Sequence, residues 1–533
     1  MKADVLIVGA GASGGVVARR LAAAGMDVVC LEQGGWHELD EFPAPRPEFE
    51  LMARKQWAHS PNDRALPEDY PVNEDDSDIA TLMFNGVGGS LILYAGDWSR
   101  LHPSDFRVRS QDGIADDWPI SYEDLRPYYE QTDVEFGAAG LGGDPAYPAP
   151  FEPPYPPLPI GAGALRVARA HTRLGWHWWP GTNSVLSVGA EGRRACAQWG
   201  TCLWGCPEGA KATTDHTHWP QAIADGAKLI TGARVSRVLV GPSGLATGVQ
   251  YVTEDGAEHV QEADVVILAA NAIGTARLLL LSATPEHPDG LCNGSDLVGR
   301  RLMVHPFANV MGLFDEPLKT WNGHIGSKIV SYEFYETDER RDFVRGAKWS
   351  LAPTGGPINA ALPTRAGGPT WGPDHHLHMR ASLGRGVSWG IFGEDLPDPH
   401  NRVTLDPELT DSSGIAAPKV TYRVGDNSRR CLDFQIERAK ESLLEAGAYQ
   451  TEEERLMRYS GWHLIGTAMM GTDPERSVVD GFGRSHEIEN LYIVDGSVFP
   501  TSGGVNPTST IAAFAARAAD HLIANRNAQR VPA

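Results

Sequence analysis

Gly9, Gly11 and Gly14 form the pattern G-x-G-x-x-G, and Glu32 follows about 20 residues on. The chemistry such a set supports is the holding of a dinucleotide. The first glycine makes a tight turn, the second lets a pyrophosphate approach the backbone, and the third lets a helix pack closely on a strand. A carboxylate such as Glu32 can accept from a ribose hydroxyl. Ala12 and Ser13 lie between these glycines, where a helix N-terminus offers free N–H groups to a phosphate. Far along the chain, His463 sits among apolar neighbours and Asn506 precedes Pro507 and Thr508. A neutral imidazole can take a proton near pH 7. On residue type alone His463 could equally be a satisfied core histidine, and Asn506-Pro507 reads as N-cap plus first helical position. Cys196, Cys202 and Cys206 crowd into one short segment. They suit an iron–sulfur cluster, reduced thiols in packing, or zinc with His216 or His218 as fourth ligand.

The elements that must position these residues are readable in outline. Residues 4–8 are a short apolar run, expected as a buried strand, followed by a helix over 16–24 and a second strand over 27–31. Residues 33–78 are polar and proline-containing, hence mostly loop. Gly88, Gly89 and Ser90 lead into Tyr94 and Ala95; these glycines again let backbone lie against a flat or charged ligand, or else make a tight turn before a buried strand. Ser121 caps a helix through residue 135, and a helix over 165–174 and an aromatic strand over 175–179 follow. Residues 145–159 read as an extended, proline-rich surface linker. Strands over 227–230, 234–240 (including Val235), 247–252 and 259–260 make a meander. Residues 263–269 return to a buried strand, and Ala270 precedes a helix over 275–282. The middle offers strands at 349–351, 375–383, 387–392 and 401–403, and a helix over 428–445. Near the end, a strand over 491–495 closes on Asp495 and Gly496, and a long apolar helix runs over 508–524.

The expected fold class is therefore mixed: α/β plus α+β. A Rossmann-like nucleotide domain with a mixed sheet and a β-meander stands beside a substrate domain built on an antiparallel sheet. The nucleotide domain is discontinuous (1–100, 195–305 and 462–533), and 101–194 with 306–461 form the cap. Of the 533 residues, 46 are Lys or Arg and 68 are Asp or Glu, a formal charge of −22. That disfavours nucleic acid or an anionic membrane as partner. Six cysteines in such a length make no disulfide framework. No apolar run approaches the ~18 residues of a membrane span. Met1-Lys2-Ala3 runs directly into the first strand, so a cytoplasmic start is expected unless a partner subunit carries the chain elsewhere.

Taken in order, the Gly9–Gly14 turn with Glu32, Gly88-Gly89-Ser90, the run Ala272-Ile-Gly-Thr-Ala-Arg-Leu-Leu-Leu280, and the His463 and Asn506 segments resemble the glucose-methanol-choline (GMC) flavoprotein oxidoreductases. The segment beginning Asp117-Trp118-Pro119 and the cysteine segment are similar to the flavin-bearing large subunits of bacterial sugar and gluconate dehydrogenases; soluble sugar and glycoside oxidases also resemble this region. The resemblance implies bound FAD and oxidation of an alcohol, with a sugar or glycoside as the expected substrate. A non-sugar primary or long-chain alcohol, and a non-redox lyase of the same fold, are the alternatives. His463 would take the hydroxyl proton while hydride passes to flavin N5, and Asn506 would hold the alcohol oxygen. The helix start at Pro507-Thr508 would face negative charge on the reduced ring, and Asp495 would hold a neighbour of the ribityl chain. The Gly88–Gly96 loop has no histidine, so the flavin is expected to be non-covalent. The three cysteines would hold a [3Fe–4S] cluster, although their first spacing is a residue longer than the family's. Oxygen or another electron acceptor, and a small or cytochrome subunit, are the implied partners. Trp176, Trp178, Trp179, Trp199 and Trp204 suit stacking on a sugar face, and His305 and Glu394 are polar candidates without a place.

Overall fold

The computed structural model describes residues 2–44, 49–52, 54–147, 151–354, 356–361 and 371–526. The strand Ala3–Val8 lies between Val28–Leu31 and the second half of Glu258–Leu268, all parallel. Lys228–Ile230 extends one side, and Leu491–Ile493 pairs with Glu258–Leu268. Glu258–Leu268 is one long strand. Its exposed first part pairs antiparallel with Ala246–Thr253, and its buried second part joins the parallel layer. Helix Ala12–Ala23 packs on helix Thr508–Ala524, which in turn packs on Tyr122–Phe136. Side chains from both faces of this sheet form buried apolar clusters, as a sheet covered on both faces requires.

A second sheet has six antiparallel strands in the order Gln450–Glu454, Phe307–Leu313, Gly386–Gly393, Ala347–Pro353, Ile329–Ser331, Trp179–Pro180. Successive side chains of a strand point to opposite faces. Here Ala308, Val310, Trp349, Leu351, Trp389 and Ile391 go into one buried cluster under helix Asp426–Glu445. The other face turns toward the nucleotide layer. A third sheet of Arg402–Thr410, Ala416–Tyr422 and Asn73–Ser77 ties residues 33–78 to the middle of the chain.

Several expectations change. The first helix starts at Ala12, so its N-terminal turn includes Ala12 and Ser13. Residues 375–383 are mostly helical, within Pro373–Ser382: His375, His376 and His378 do not alternate with enough apolar residues to bury a strand face. Gly89–Ile92 is a 3-10 turn, not the start of a strand, because Gly88 and Gly89 take φ +96° and +54°. The aromatic run contributes only Trp179–Pro180 to a sheet. Within the proline-rich stretch, 148–150 lie outside the described residues, and Tyr147 is anchored, not superficial: its hydroxyl donates to the Arg100 carbonyl at 2.9 Å. Ser121 caps as expected, with the reciprocal Asp124 contact of a capping box.

Candidate active site

A cavity of about 540 Å³ runs between the parallel layer and the antiparallel sheet. One end is the glycine turn. Gly9 takes φ +101°, and a Cβ there would stand 2.5 Å from the Ala269 carbonyl oxygen. Gly11 and Gly89 face each other across the cavity wall, where a Cβ on Gly89 would come within 2.8 Å of the Gly11 Cα. Side chains at these positions would fill the cradle, so the cradle fits a pyrophosphate lying on bare backbone beside the Ala12 helix start. Gly14 does not line the cavity: a Cβ there would meet the Gly9 carbonyl, so it serves helix–strand packing. Gly88 is also behind the wall, its N–H donating to the Ala10 carbonyl at 3.0 Å.

Glu32 lines this end and is buried. Its Oε2 accepts from Ala10 N–H at 2.8 Å and its Oε1 from Gly34 N–H at 2.9 Å. Burial pushes its carboxyl up to about 7 against those main-chain donors. Ser90, Tyr94, Ala95, Val235, Ala270, Asp495, Gly496, Asn506, Pro507 and Thr508 line the remainder. Asp495 is fixed by Thr275 Oγ1 at 2.6 Å and Ser497 N–H at 2.9 Å, and burial raises its carboxyl.

At the far end the structure brings His463 and Asn506 together. Asn506 Nδ2 stands 3.2 Å from His463 Nε2. The N-cap of helix Thr508–Ala524 is Pro507, so the capping reading of Asn506 fails; its side chain points across the cavity instead. A chain of hydrogen bonds sets the imidazole's tautomer. The Gly503 carbonyl can only accept, so His305 Nε2 carries hydrogen toward it, at 2.5 Å. His305 is buried and its pKa is pushed down to about 4, hence neutral, which leaves Nδ1 bare. His463 Nδ1–H donates to that nitrogen at 3.0 Å, and the lone pair of His463 is thereby placed on Nε2, toward the cavity. Burial first, then His305 and Lys348, hold the His463 pKa well below its ordinary value. His305 takes φ +53°, a costly conformation for a side-chain-bearing residue, and its two hydrogen bonds help to hold it there.

Asn506 is oriented from the other side. Its Oδ1 accepts from Lys348 Nζ at 2.9 Å. The fully buried Lys348 also donates to Asp97 Oδ2 at 2.5 Å and Ser99 Oγ at 2.8 Å. A buried ion pair of this kind is weak evidence for stability, but breaking it leaves an uncompensated charge. Lys348, Asp97, Asn309, Trp462, Phe307 and Phe392 were not singled out in the sequence. Alternation on the strands was the one signal that could have flagged those on the sheet.

Other expectations are redirected. Trp176, Trp178, Trp179, Trp199 and Trp204 are absent from the cavity wall, and the indole that lines it is Trp462, whose Nε1–H donates to His59 Nδ1 at 3.3 Å. Glu394 does not line the cavity and accepts from Arg345 at 3.0 Å. Cys196, Cys202 and Cys206 each accept a main-chain N–H, from Gln198, Ile325 and Lys211. Among the described residues, however, no three His, Cys, Asp or Glu side chains converge on a metal position. Burial pushes the Cys196 thiol up to about 12 and raises that of Cys202. His218 uses both ring nitrogens, with Thr217 and Glu135, and His216, whose Nδ1 meets Thr213 and Asp215, belongs to no such convergent group among the described residues, so zinc finds no site either. As placed, the trio does not fit a cluster. Buried Lys211 instead ties the segment to the cavity loop, donating to the carbonyls of Ile92, Tyr94 and Cys202.

A bare-backbone cradle with a buried carboxylate at one end of the cavity, and a neutral imidazole at the other, fit a dinucleotide-dependent oxidoreductase. Family models described as GMC oxidoreductase match residues 3–307 and 397–515, and the chain belongs to that family. It is an FAD-dependent alcohol oxidoreductase. It is 41% identical over 529 residues to 2-methyl-1,2-propanediol dehydrogenase of Mycolicibacterium austroafricanum, covering 97% of this chain and 95% of that one. It is 30% identical to the fructose dehydrogenase large subunit of Gluconobacter japonicus, with 98% of each covered. In fold it is similar to a formate oxidase of Aspergillus oryzae, with TM-score 0.65, 16% identity and 98% of each chain covered. Among the described residues no helix is long and apolar enough to cross a membrane.

Proposed function

We propose that this chain oxidises a carbinol of a small polyhydroxylated molecule to a carbonyl, with His463 as base and Asn506 as the group that holds the alcohol oxygen. The observation that carries this reading is the Gly503–His305–His463 chain, which leaves a bare Nε2 directed at the Asn506 carboxamide. Bound FAD supplies the two-electron acceptor, at N5 of its ring. The substrate O–H donates to His463 Nε2 and gives up its proton there. Asn506 Nδ2–H donates to the same oxygen, and Lys348 keeps that carboxamide from turning. Phe392, whose ring centroid is 5.5 Å from that of His463, helps to keep water away. Orientation of this kind is a large part of the rate.

Gly9, Gly11, Ala12, Ser13, Glu32, Gly89 and Ser90 would hold the ADP half. Tyr94, Ala95, Asp495, Gly496, Pro507 and Thr508 would hold the flavin half, without a covalent link. The discontinuous nucleotide domain and the cap over 101–194 and 306–461 belong to the same proposal. A sugar or glycoside substrate is supported by the likeness to the fructose dehydrogenase large subunit, and a small diol by that to the propanediol enzyme. A partner subunit draws support from the likeness to the fructose dehydrogenase large subunit. Anaerobic addition of sugars, glycosides, diols and simple alcohols to the purified yellow protein tests the reading. Bleaching of the flavin by a member of the panel is expected, and readmitted air reports whether oxygen is the acceptor. A flavin that no alcohol reduces would overturn it. Stoichiometric iron and acid-labile sulfide in the same sample would reinstate the cluster.

A further inference from the structure

The cavity face of the antiparallel sheet is an ordered array. Phe307, Phe392 and Lys348 stand in one row across three adjacent strands. Two residues along, Asn309, Gly390 and Ser350 make the next row. All three of the latter line the cavity. The rows are about 6.7 Å apart and the flanking strands of a row about 10 Å, from ordinary strand geometry. Gly390 carries no side chain between its two neighbours, and the Phe307 ring of the first row leans over it. A Cβ there would meet the Phe307 ring at 2.7 Å.

What flanks Gly390 is polar and incompletely used. Asn309 Oδ1 is buried and has no hydrogen-bond partner. Ser350 Oγ lies 2.5 Å from Ser327 Oγ, and Ser327 gives its own hydrogen to Asp97. Ser350 must therefore donate to Ser327, which leaves its own oxygen lone pairs toward the cavity. Two acceptors without a donor, one row beyond the lysine that holds Asn506, ask for hydroxyl hydrogens.

We infer that the Asn309–Gly390–Ser350 row is a binding subsite for a second hydroxyl of the substrate, and that the enzyme thereby selects polyols over mono-alcohols. This rests on the reaction proposed above. A substrate with one hydroxyl would leave both acceptors dry and unpaired, whereas a neighbouring hydroxyl satisfies them. Sites built to hydrogen-bond a hydroxyl discriminate strongly against analogues that lack it.

The test compares propane-1,2-diol with propan-1-ol in the FAD-loaded enzyme and in Asn309→Leu and Ser350→Ala. The parent should favour the diol in kcat/KM by at least about tenfold, and each variant should reduce that ratio by about threefold to tenfold, the worth of one neutral hydrogen bond. A binding measurement needs no turnover: pinacol and 2,3-dimethylbutan-2-ol lack a carbinol hydrogen and differ by one hydroxyl. Their Kd values, read from the shift of the visible flavin spectrum, should differ in the same direction, with the gap narrowed in both variants. The same spectrum verifies that each variant holds its flavin. Equal ratios in parent and variants, by rate and by binding, on a flavin that alcohols do reduce, would overturn the subsite alone. A flavin reduced by no alcohol would overturn the reaction and the subsite together.

Discussion

The two ends of the cavity solve the same problem, a buried polar group, by different means. At the glycine end the carboxylate of Glu32 is held by main-chain N–H groups of Ala10 and Gly34, from the turns that follow the strands Ala3–Val8 and Val28–Leu31. At the catalytic end, groups from five separated segments, all side chains but for the Gly503 carbonyl, hold one another: Asp97 and Ser99, His305, Lys348, His463, and the 503–506 loop. The first arrangement is local and needs only the strand–turn–helix backbone. The second exists only once both sheets have closed on each other. Damage at the catalytic end should therefore act on chemistry, and damage at the glycine end on cofactor retention.

The sharpest break of that contrast is His463→Ala. The rate of anaerobic flavin reduction by substrate should fall by about 10²–10⁴-fold, the usual worth of a general base. The flavin spectrum should persist; reduction at the parent rate would remove His463 from the mechanism. Lys348→Met comes next. It frees Asn506 to rotate and leaves Asp97 without its ammonium, so a loss of about 10–100-fold in the reduction rate is expected, given roughly 1.4 kcal/mol per tenfold. It also removes a positive charge that holds the His463 pKa down. The base works only when neutral, so the acid limb of the rate profile should move to higher pH in this variant. In the parent the rate should stay flat on the acid side to below the ordinary imidazole value. A profile that does not move would mean that Lys348 acts on structure alone.

The contrast also explains what could be read from the chain. Gly9, Gly11 and Glu32 were legible because a turn with positive φ, a close backbone approach and a strand-end carboxylate are written within one short stretch. The helix Asp426–Glu445 and the strands Ala347–Pro353 and Gly386–Gly393 were legible from periodicity. His305 could be named but not placed, because its role depends on a carbonyl 198 residues away. Lys348 and Asn309 gave no signal beyond strand alternation: each is an ordinary polar position until the opposite layer covers it. The tryptophans misled for the reverse reason. Large aromatics satisfy packing and stacking alike, and Trp176, for one, packs half-buried against the core under the sheet.

Glu32→Gln gives the smallest of these effects and tests the local end. A carboxamide can accept on one atom only, so either Ala10 N–H or Gly34 N–H loses its partner. An unsatisfied buried donor costs about 1–3 kcal/mol, which corresponds to roughly tenfold or more in FAD retention during gel filtration. The ligand-free protein offers a second readout. The Glu32 carboxyl sits near 7 in the folded chain against an ordinary 4.5, so between those values the folded state binds more proton than the unfolded one. Stability from this group is present below about pH 4.5 and is lost as pH rises through 7. Glutamine does not titrate, so the thermal midpoint of Glu32→Gln should fall less than the parent's between pH 5 and pH 7.5, at about the pH range cited for this group. Parallel midpoints would show that Glu32 stays ionised on its two N–H donors throughout. The glycine end would then be no less preorganised than the catalytic end, and the contrast between them would reduce to which segments supply the donors.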